Sequence, residues 1–367
     1  MDTTKTSQFG KYTLCDYGID EIGSLEQIWR PLEKGGDMTA FQSYDWYKNL
    51  CTLHRKERTK NLFRKFRFIV VSRENVPVLL APFEIHTFGI GYRNYGAPRG
   101  VYFMGRLGYT DYLNFIYDTF DCQALEIILD YVSKTYRQKR FYLDRMLEKS
   151  ASFVYLTERF QGVRMKQDFS ALALPETFEE YRLSLSKSTR QNIRTAINRA
   201  NKNGLSLTHC LIPDEEAAVK EQIIALNAQR LDKKNKASRQ QMSLPGRIYC
   251  FFAEIYRALF SAKPDIVRDS KNTFAFLVKD GDTLVSFFWG IRNDYRKEYY
   301  VILAGVHQDY EWYSPNISHL YLFLEEQYQT PVQDIRVLDF TRGAEGYKKK
   351  IGCTERPVSG FYWTKNN

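Results

Sequence analysis

Residues 273–305 read TFAFLVKDGDTLVSFFWGIRNDYRKEYYVILAG, and this stretch decides the fold. Residues 273–278 and 283–291 are rich in β-branched and aromatic residues, which favour strands. Asp280-Gly281-Asp282 between them is typical of a hairpin turn. Residues 299–305 predict a further strand of the same sheet.

The same order of elements occurs twice along the chain. After residue 305 we predict a helix over residues 315–328 and a short strand at 335–338. In the first half, a hairpin is predicted over residues 66–86, a helix over 122–136 and a short strand at 141–143. The recurrence predicts two copies of one α/β unit.

Two domains are expected, one spanning residues 1–165 and one spanning 166–367. Each is expected to hold a mixed, mostly antiparallel sheet flanked by helices. Residues 175–203 and 214–260 are predicted to be helical, with a break at Leu244-Pro245-Gly246 because proline cannot continue a helix interior. Because domains typically contain about 100–200 residues, a chain of 367 residues is consistent with two domains of similar size.

Composition limits the classes of partner. The formal net charge is +10 with 26% charged residues, which favours anionic partners without choosing among them. The six cysteines are scattered without metal-ligand spacing, so no metal is expected. The N-terminus lacks the apolar core of a signal peptide, and no apolar stretch is long enough for a membrane span. We therefore expect a cytoplasmic protein.

The start of the helix after the third strand is a candidate phosphate site. Ser314 is a preferred N-cap, and Pro315 loses no useful N–H at the first helical position. The amides of Asn316, Ile317 and Ser318 would then point outward from the positive end of the helix dipole. A well-capped structural helix has the same sequence, and that alternative stays open.

The stretch 338–352, LDFTRGAEGYKKKIG, gathers polar residues just after a strand. Open α/β sheets place ligands at the carboxyl ends of strands, so Asp339 and the residues after it are site candidates. Alternatively, Arg342 and Glu345 form a surface ion pair and Lys348 belongs to a solvated face.

A basic face is predicted on the helix that starts near Ser188. Lys187, Arg190 and Arg194 recur at helical spacing, opposite an apolar stripe. Such a face suits an anionic acceptor or nucleic acid, although it is more often simply the outer face of an amphipathic helix.

The ending resembles that of the CelD-like acetyltransferases, a branch of the GNAT superfamily related to Fem-type peptidyl transferases. That branch ends in a D-F-G-R-G-x-E-x-Y-K-x-x-x-G pattern, and Thr341 replaces its usual glycine. The matching residues are Asp339, Phe340, Arg342, Gly343, Glu345, Tyr347, Lys348 and Gly352. Three further segments fit the family: Phe41-Gln42-Ser43 to Trp46, Leu107-Gly108 to Asp111-Tyr112, and residues 185–199.

The resemblance implies tandem GNAT-like units and an N-acyltransferase that moves an acyl group from acyl-CoA, such as acetyl-CoA, to an amine. The acceptor would be a small molecule or a glycan or peptide amine, in cell-envelope or polysaccharide metabolism. Acyl-CoA would lie in the splay between two strands, near Gly305, Ser314, Asn316, Ile317 and Ser318. Ordinary GNAT enzymes hold the pyrophosphate with a glycine-rich loop, which Tyr313-Ser314-Pro315-Asn316 replaces here.

Residue roles follow from residue type and position. Glu345 or Asp339 suits the base that takes the ammonium proton, and Tyr347 the acid that protonates the leaving thiolate. Six residues are assigned to substrate binding: Arg342, Lys348, Asp111, Tyr112, Arg190 and Arg194.

Two other functions compete with this interpretation. A Fem-like transferase would use aminoacyl-tRNA and act on a peptidoglycan precursor, which fits the net charge and the basic segment 230–239. Only this alternative includes nucleic acid as a partner. A non-catalytic binding protein would keep the fold as a scaffold, because fold alone does not establish activity.

Overall fold

The computed structural model describes residues 5–56, 64–87, 98–106, 110–240, 266–331, 334–343 and 345–365. The chain divides into two compact units. The first contains the residues up to Asp168 together with the C-terminal segment from Pro357, and the second extends from Phe169 to Arg356. The predicted boundary at residue 165 is close to this division. The C-terminal segment differs from the predicted 166–367 domain because it joins the first unit.

The first unit is built on one mixed sheet. Its strands run in the spatial order β1-β2-β3-β4-β5-β6-β15-β7. They are β1 (Lys5–Phe9), β2 (Tyr12–Gly18), β3 (Arg64–Arg73), β4 (Val76–His86), β5 (Gly100–Phe103), β6 (Arg140–Leu147), β7 (Gly162–Gln167) and β15 (Val358–Thr364). Only β5 and β6 pair in parallel among these described strands.

The second unit has a sheet of the same kind. Its spatial order is β14-β8-β13-β12-β11-β10-β9. The strands are β8 (Phe169–Ala173), β9 (Leu207–Pro213), β10 (Thr273–Asp280), β11 (Thr283–Asn293), β12 (Glu298–Val306), β13 (Val337–Arg342) and β14 (Thr354–Glu355). Here too one described pair is parallel, β12 with β13.

The two strand orders correspond element by element. The series β2-β3-β4-β5-β6 of the first sheet matches β9-β10-β11-β12-β13 of the second, and the parallel pair stands at the same place. The predicted tandem α/β architecture is therefore confirmed.

In each sheet, one strand inserts at a place that its position in the sequence does not suggest. β15 follows the last strand of the second unit but inserts between β6 and β7 in the first. β8 follows β7 but inserts between β13 and β14 in the second. The sequence pattern did not predict this reciprocal exchange, because pairing between strands about 200 residues apart leaves no local signal.

Helices cover the sheets. They are α1 (Glu26–Leu32), α2 (Tyr44–Lys56), α3 (Cys122–Thr135), α4 (Ala151–Arg159), α5 (Phe178–Ser184), α6 (Lys187–Lys202), α7 (Ala217–Gln240), α8 (Ile266–Asp269), α9 (Pro315–Gln329) and α10 (Gly346–Lys350). The predicted helix 175–203 is two helices, α5 and α6. The predicted break at Leu244-Pro245-Gly246 lies outside the described residues.

In the second unit, α6 and α9 cover one face of the sheet. Ile193 and Leu320 pack there with Phe276, Phe288 and other apolar side chains of the strands. On the other face, α7 packs against a separate cluster. Two buried apolar faces hold the sheet rigid, so the chain entering α9 has a fixed place at the end of β12.

Candidate functional site

β12 and β13 separate at one end of their parallel pair. Their register ends at Tyr300 opposite Asp339, whereas β12 continues to Val306. The hydroxyl of Thr341 donates to the Val301 carbonyl at 2.9 Å, at the point where the strands part. Thr341 has φ +52°, in the left-handed region, where the family pattern has glycine. An opening therefore lies beside β12 beyond Val301.

The opening leads to the N-terminus of α9. Ser314 is the N-cap, with φ +46°, and its side chain makes no capping hydrogen bond. The amides of Ile317 and Ser318 both donate to the Ser314 carbonyl at 3.1 Å. Two of the three predicted phosphate donors are therefore used within the helix. The Asn316 amide has no acceptor in the described part of the chain.

Asn316 also brings a buried, incompletely bonded side chain to this point. The residue is 9% exposed, and its Nδ2 donates to the Gly305 carbonyl at 3.4 Å. Its Oδ1 has no partner among the described residues. An unpaired buried acceptor is costly, so this oxygen suits a ligand that presents an N–H.

The remaining predicted donor-site residues have structural roles. A Cβ on Gly305 would lie 2.5 Å from the Phe287 ring, so glycine is required there for packing. The Ser318 hydroxyl donates to the Ser314 carbonyl at 3.1 Å. We correct the prediction accordingly: backbone at Ser314 and Ile317 shapes the helix start, and Asn316 carries the open hydrogen-bonding groups.

Asp339 is fully buried and already paired. It forms an ion pair with Arg356 and accepts from the Thr341 amide at 2.7 Å. Arg356 also reaches Glu298 at 3.4 Å. Burial alone would raise the pKa of Glu298, but Arg356 and the Tyr300 hydroxyl outweigh it and lower that pKa. Asp339 is therefore buried with both carboxylate oxygens engaged, which leaves it poorly placed to act as a general base.

Lys348 holds the turn that follows β13. Its ammonium is buried and donates to the carbonyls of Arg342 at 2.7 Å and Gly343 at 3.1 Å. It also pairs with Glu345 at 2.9 Å. Gly343 has φ +108°, and a Cβ there would strike the Glu345 carboxylate. Lys348 is thus neither a solvated lysine nor open to a substrate, and its ammonium pairs with the Glu345 carboxylate.

Tyr347 packs its ring into the core of the second unit. The ring centroid lies 6.1 Å from that of Phe340 and 6.5 Å from that of Phe288. Its hydroxyl has no hydrogen-bond partner among the described residues. Burial, with the Glu345 carboxylate, raises the pKa of Tyr347, so the hydroxyl stays protonated at neutral pH.

Three arginines were predicted to bind substrate, and the structure places one of them in a structural role and two at the surface. Arg190 donates to the carbonyls of Arg182 and Leu185 at 3.0 and 2.9 Å, and so caps the end of α5. Arg194 is exposed and has no ion-pair partner in the described ranges. Arg342 is exposed at the end of β13. Of the three, Arg194 and Arg342 can meet a ligand.

Asp111 and Tyr112 belong to the first unit, and both are buried. Gln42 donates to the Tyr112 carbonyl at 2.7 Å, and Phe41 packs on the Tyr112 ring at 5.9 Å. Two of the family-like segments therefore meet each other in the core of this unit. Leu107-Gly108 lies outside the described residues.

In the first unit, the place equivalent to this opening is bridged by a hydrogen bond. β5 and β6 pair at Tyr102–Tyr142 and then separate, but the Leu113 amide donates to the Arg145 carbonyl at 3.0 Å across the gap. The N-terminus of α3 is capped by the Asp121 carboxylate, which accepts from Ala124 N–H at 3.0 Å. A donor phosphate would be repelled there, so the second unit is the better candidate.

Among the described residues, no group of three or more His, Cys, Asp or Glu side chains is arranged to hold a metal ion. In the same ranges, no helix combines the length and apolarity needed to cross a membrane.

Two sheets of matching order, each with one parallel pair that separates, define a tandem GNAT-like fold. Residues 187–349 match a family model described as an acetyltransferase (GNAT) domain. The match lies almost entirely within the second unit and indicates transferase activity there. No curated protein matches the sequence.

Two solved structures are similar over nearly the whole chain. One is a conserved protein of unknown function from Bacteroides thetaiotaomicron VPI-5482, with a TM-score of 0.52 and 11% identity over 99% of this chain and 100% of that one. The other is FemX, with a TM-score of 0.52 and 12% identity over 93% and 96%. At these identities the likeness shows the fold alone.

Proposed function

We propose that the second unit is an N-acyltransferase that moves an acyl group from acyl-CoA to an amine acceptor. The observation that carries the proposal is the opening beside β12, which runs into the α9 N-terminus. There the backbone amide and the Oδ1 of Asn316 have no partner among the residues that the structure describes. The helix start supplies a donor and positive potential for phosphate. Oδ1 supplies an acceptor for an amide N–H of the pantetheine arm.

The chemistry requires that the thioester and the amine be held together. Fixing both on a rigid strand makes their reaction effectively unimolecular. An N–H of β12 facing the opening is suited to bind the oxyanion that develops when the amine attacks the thioester carbonyl. We assign the protonation of the leaving thiolate to Tyr347, whose hydroxyl is protonated and has no hydrogen-bond partner in the described ranges. Glu345 is proposed to accept the ammonium proton, and Asp339 is left out of proton transfer.

Donor binding tests the proposal directly. Acyl-CoAs of graded chain length should raise the thermal midpoint, because a ligand at 100 times its Kd stabilises a protein by about 2.7 kcal/mol. Asn316→Ala removes the unsatisfied Oδ1 together with the long 3.4 Å hydrogen bond from Nδ2 to the Gly305 carbonyl, so the thermal midpoint without ligand should change little. It should also bind acyl-CoA about 2- to 12-fold more weakly, the equivalent of one hydrogen bond. Asn198→Ala, at an exposed position of α6, is the matched control.

A Fem-like transferase is the second candidate, and the exposed cations of α6 favour it. Lys187 and Arg194 lie on its solvent side. If aminoacyl-tRNA is the donor, its affinity should fall steeply with salt and Arg194→Gln should reduce the salt slope by about one. Stabilisation by neither acyl-CoA nor aminoacyl-tRNA would contradict both transferases and leave a non-catalytic binding protein on this fold.

A further inference from the structure

One exposed aromatic side chain stands beside the proposed donor site. Trp312 is 69% exposed and lies two residues before the N-cap of α9. Single exposed apolar residues are ordinary on protein surfaces. Trp312 differs because the chain holds its ring in place.

The ring is held from α6. The Arg199 guanidinium carbon lies 4.1 Å from the indole centroid, and its Nη1 donates to the Trp312 carbonyl at 2.7 Å. Residues 307–313 are held at two further points: the His307 amide donates to the Val285 carbonyl at 2.7 Å, and the Tyr310 hydroxyl donates to Asp280 at 3.1 Å. The indole therefore has a fixed position before any ligand arrives.

Charge on the same side of α6 suits an anionic ligand. Lys202 follows Arg199 by three residues, so the two share one side of the helix. Lys202 is exposed and has no ion-pair partner in the described part of the chain. A flat ring and a free cation next to a helix N-terminus match a purine nucleotide that carries phosphate.

We propose that Trp312, backed by Arg199, is a stacking platform for the adenine of the donor nucleotide. This inference rests on the proposed function, since acyl-CoA and the 3′ end of aminoacyl-tRNA both carry an adenosine. Base stacking on an aromatic side chain is sequence-tolerant and needs no hydrogen bonds from the protein. Holding the indole in advance reduces the ordering that binding requires.

The test compares ligands with and without adenosine on three proteins: wild type, Trp312→Ala and Tyr295→Ala. Tyr295, 66% exposed on the turn before β12, is the control aromatic. Calorimetry would measure binding of acetyl-CoA, acetyl-pantetheine and an oligonucleotide ending in CCA. Trp312→Ala should weaken the adenosine ligand by about 5- to 150-fold, the range for stacking one base. Acetyl-pantetheine should bind equally to all three proteins, and Trp312→Phe should restore most of the affinity.

The outcomes separate this inference from the proposed function. A selective loss for acetyl-CoA supports the platform with coenzyme A as the source of adenosine, and a selective loss for the oligonucleotide supports it with tRNA. Equal affinity of wild type and Trp312→Ala for every ligand that binds overturns the platform and leaves the transferase standing. Tighter binding of acetyl-pantetheine than of acetyl-CoA to the wild type would also overturn the platform and leave the transferase standing. Failure of the wild type to bind any of the three overturns both.

Discussion

At the scale of single residues, the stretch 338–352 combines buried side chains that hold the turn after β13 with a tyrosine proposed for proton transfer. Asp339 and Lys348 are buried and ion-paired, whereas the Tyr347 hydroxyl has no hydrogen-bond partner among the described residues. The motif could be recognised in the sequence because its residues lie close together in the chain. The ion-pair partner of Asp339 could not be predicted, because Arg356 lies 17 residues further on. The burial of Lys348 could not be predicted either, because lysine is seldom fully buried.

Tyr347→Phe separates a catalytic hydroxyl from a packing ring. The variant keeps the ring and loses a hydroxyl that no described residue binds, so its thermal midpoint should not change. If Tyr347 protonates the thiolate, kcat should fall about 10²–10⁴-fold with little change in donor KM. Because burial raises the pKa of Tyr347, the wild-type acid should remain active throughout the neutral range. Unchanged turnover would remove Tyr347 from the mechanism.

Glu345→Gln tests whether Glu345 is the general base. If Glu345 takes the ammonium proton, kcat should fall and the residual rate should rise with pH, as free amine becomes available without a base. A rate that falls equally at all pH values, together with a lower midpoint, would instead show that Glu345 matters only as the partner of Lys348.

Lys348→Met tests the assignment of Lys348 to structure. Methionine fills the same space but leaves the carbonyls of Arg342 and Gly343 without a donor. We expect a loss of about 1–3 kcal/mol in the free energy of unfolding, measured by urea denaturation. Lys349→Met, one residue on and exposed, should change it by less than about 0.5 kcal/mol. A stable Lys348→Met with weakened substrate binding would restore the original prediction of a substrate ligand.

At the scale of elements, the sequence was most reliable where a feature is local. The hairpin β10–β11 and helix α9 follow from alternation, turn residues and Pro315 at the first helical position. The predicted start of α6 near Ser188 is late by one residue, since α6 begins at Lys187 and its N-cap Ser186 accepts from the Thr189 amide. Edge strands such as β9 were missed because they alternate without a strongly apolar face.

The contact between α9 and β9 should make the second unit sensitive to pH. His319 of α9 lies 3.2 Å from His209 of β9, which in turn contacts Glu326 at 3.1 Å. Burial, with repulsion from His209, lowers the pKa of His319 from 6.5 to about 4. Between these values the unfolded chain binds the proton and the folded chain does not. Stability should therefore fall by on the order of 3 kcal/mol as pH drops from about 6.5 to 4.

Denaturation at pH 7 and pH 5 measures this effect. His319→Gln keeps a polar group beside His209 but cannot titrate, so its pH dependence should be flatter than that of the wild type. His307→Gln, which changes a histidine outside this pair, should leave the slope unchanged. An identical slope in His319→Gln would exclude His319 as the titrating group.

At the scale of the whole molecule, the first sheet is completed by β15, a strand that follows the second unit in the chain. The sequence predicted two units because each repeats a local order of elements. It could not assign β8 and β15, since both are short apolar strands that fit either sheet. Within the described ranges, the open strand edge and the helix start without a side-chain cap both lie in the second unit, which therefore carries the candidate donor site.

Removal of the exchanged strand tests this arrangement. β15 lies between β6 and β7, and it buries Val358, Phe361 and Trp363 in the first unit. Burying each of these side chains contributes about 1.5–3 kcal/mol, so together they approach the total stability of a typical domain. A chain ending at Arg356 should therefore lose hydrogen-exchange protection in β6 and β7, measured by mass spectrometry.

A chain ending at Lys365 is the control and should keep this protection. Adding a peptide of residues 357–367 should restore protection to the truncated chain, because it supplies the missing strand to the same place. Full protection of β6 and β7 without residues 357–367 would show that the first sheet does not depend on the exchanged strand.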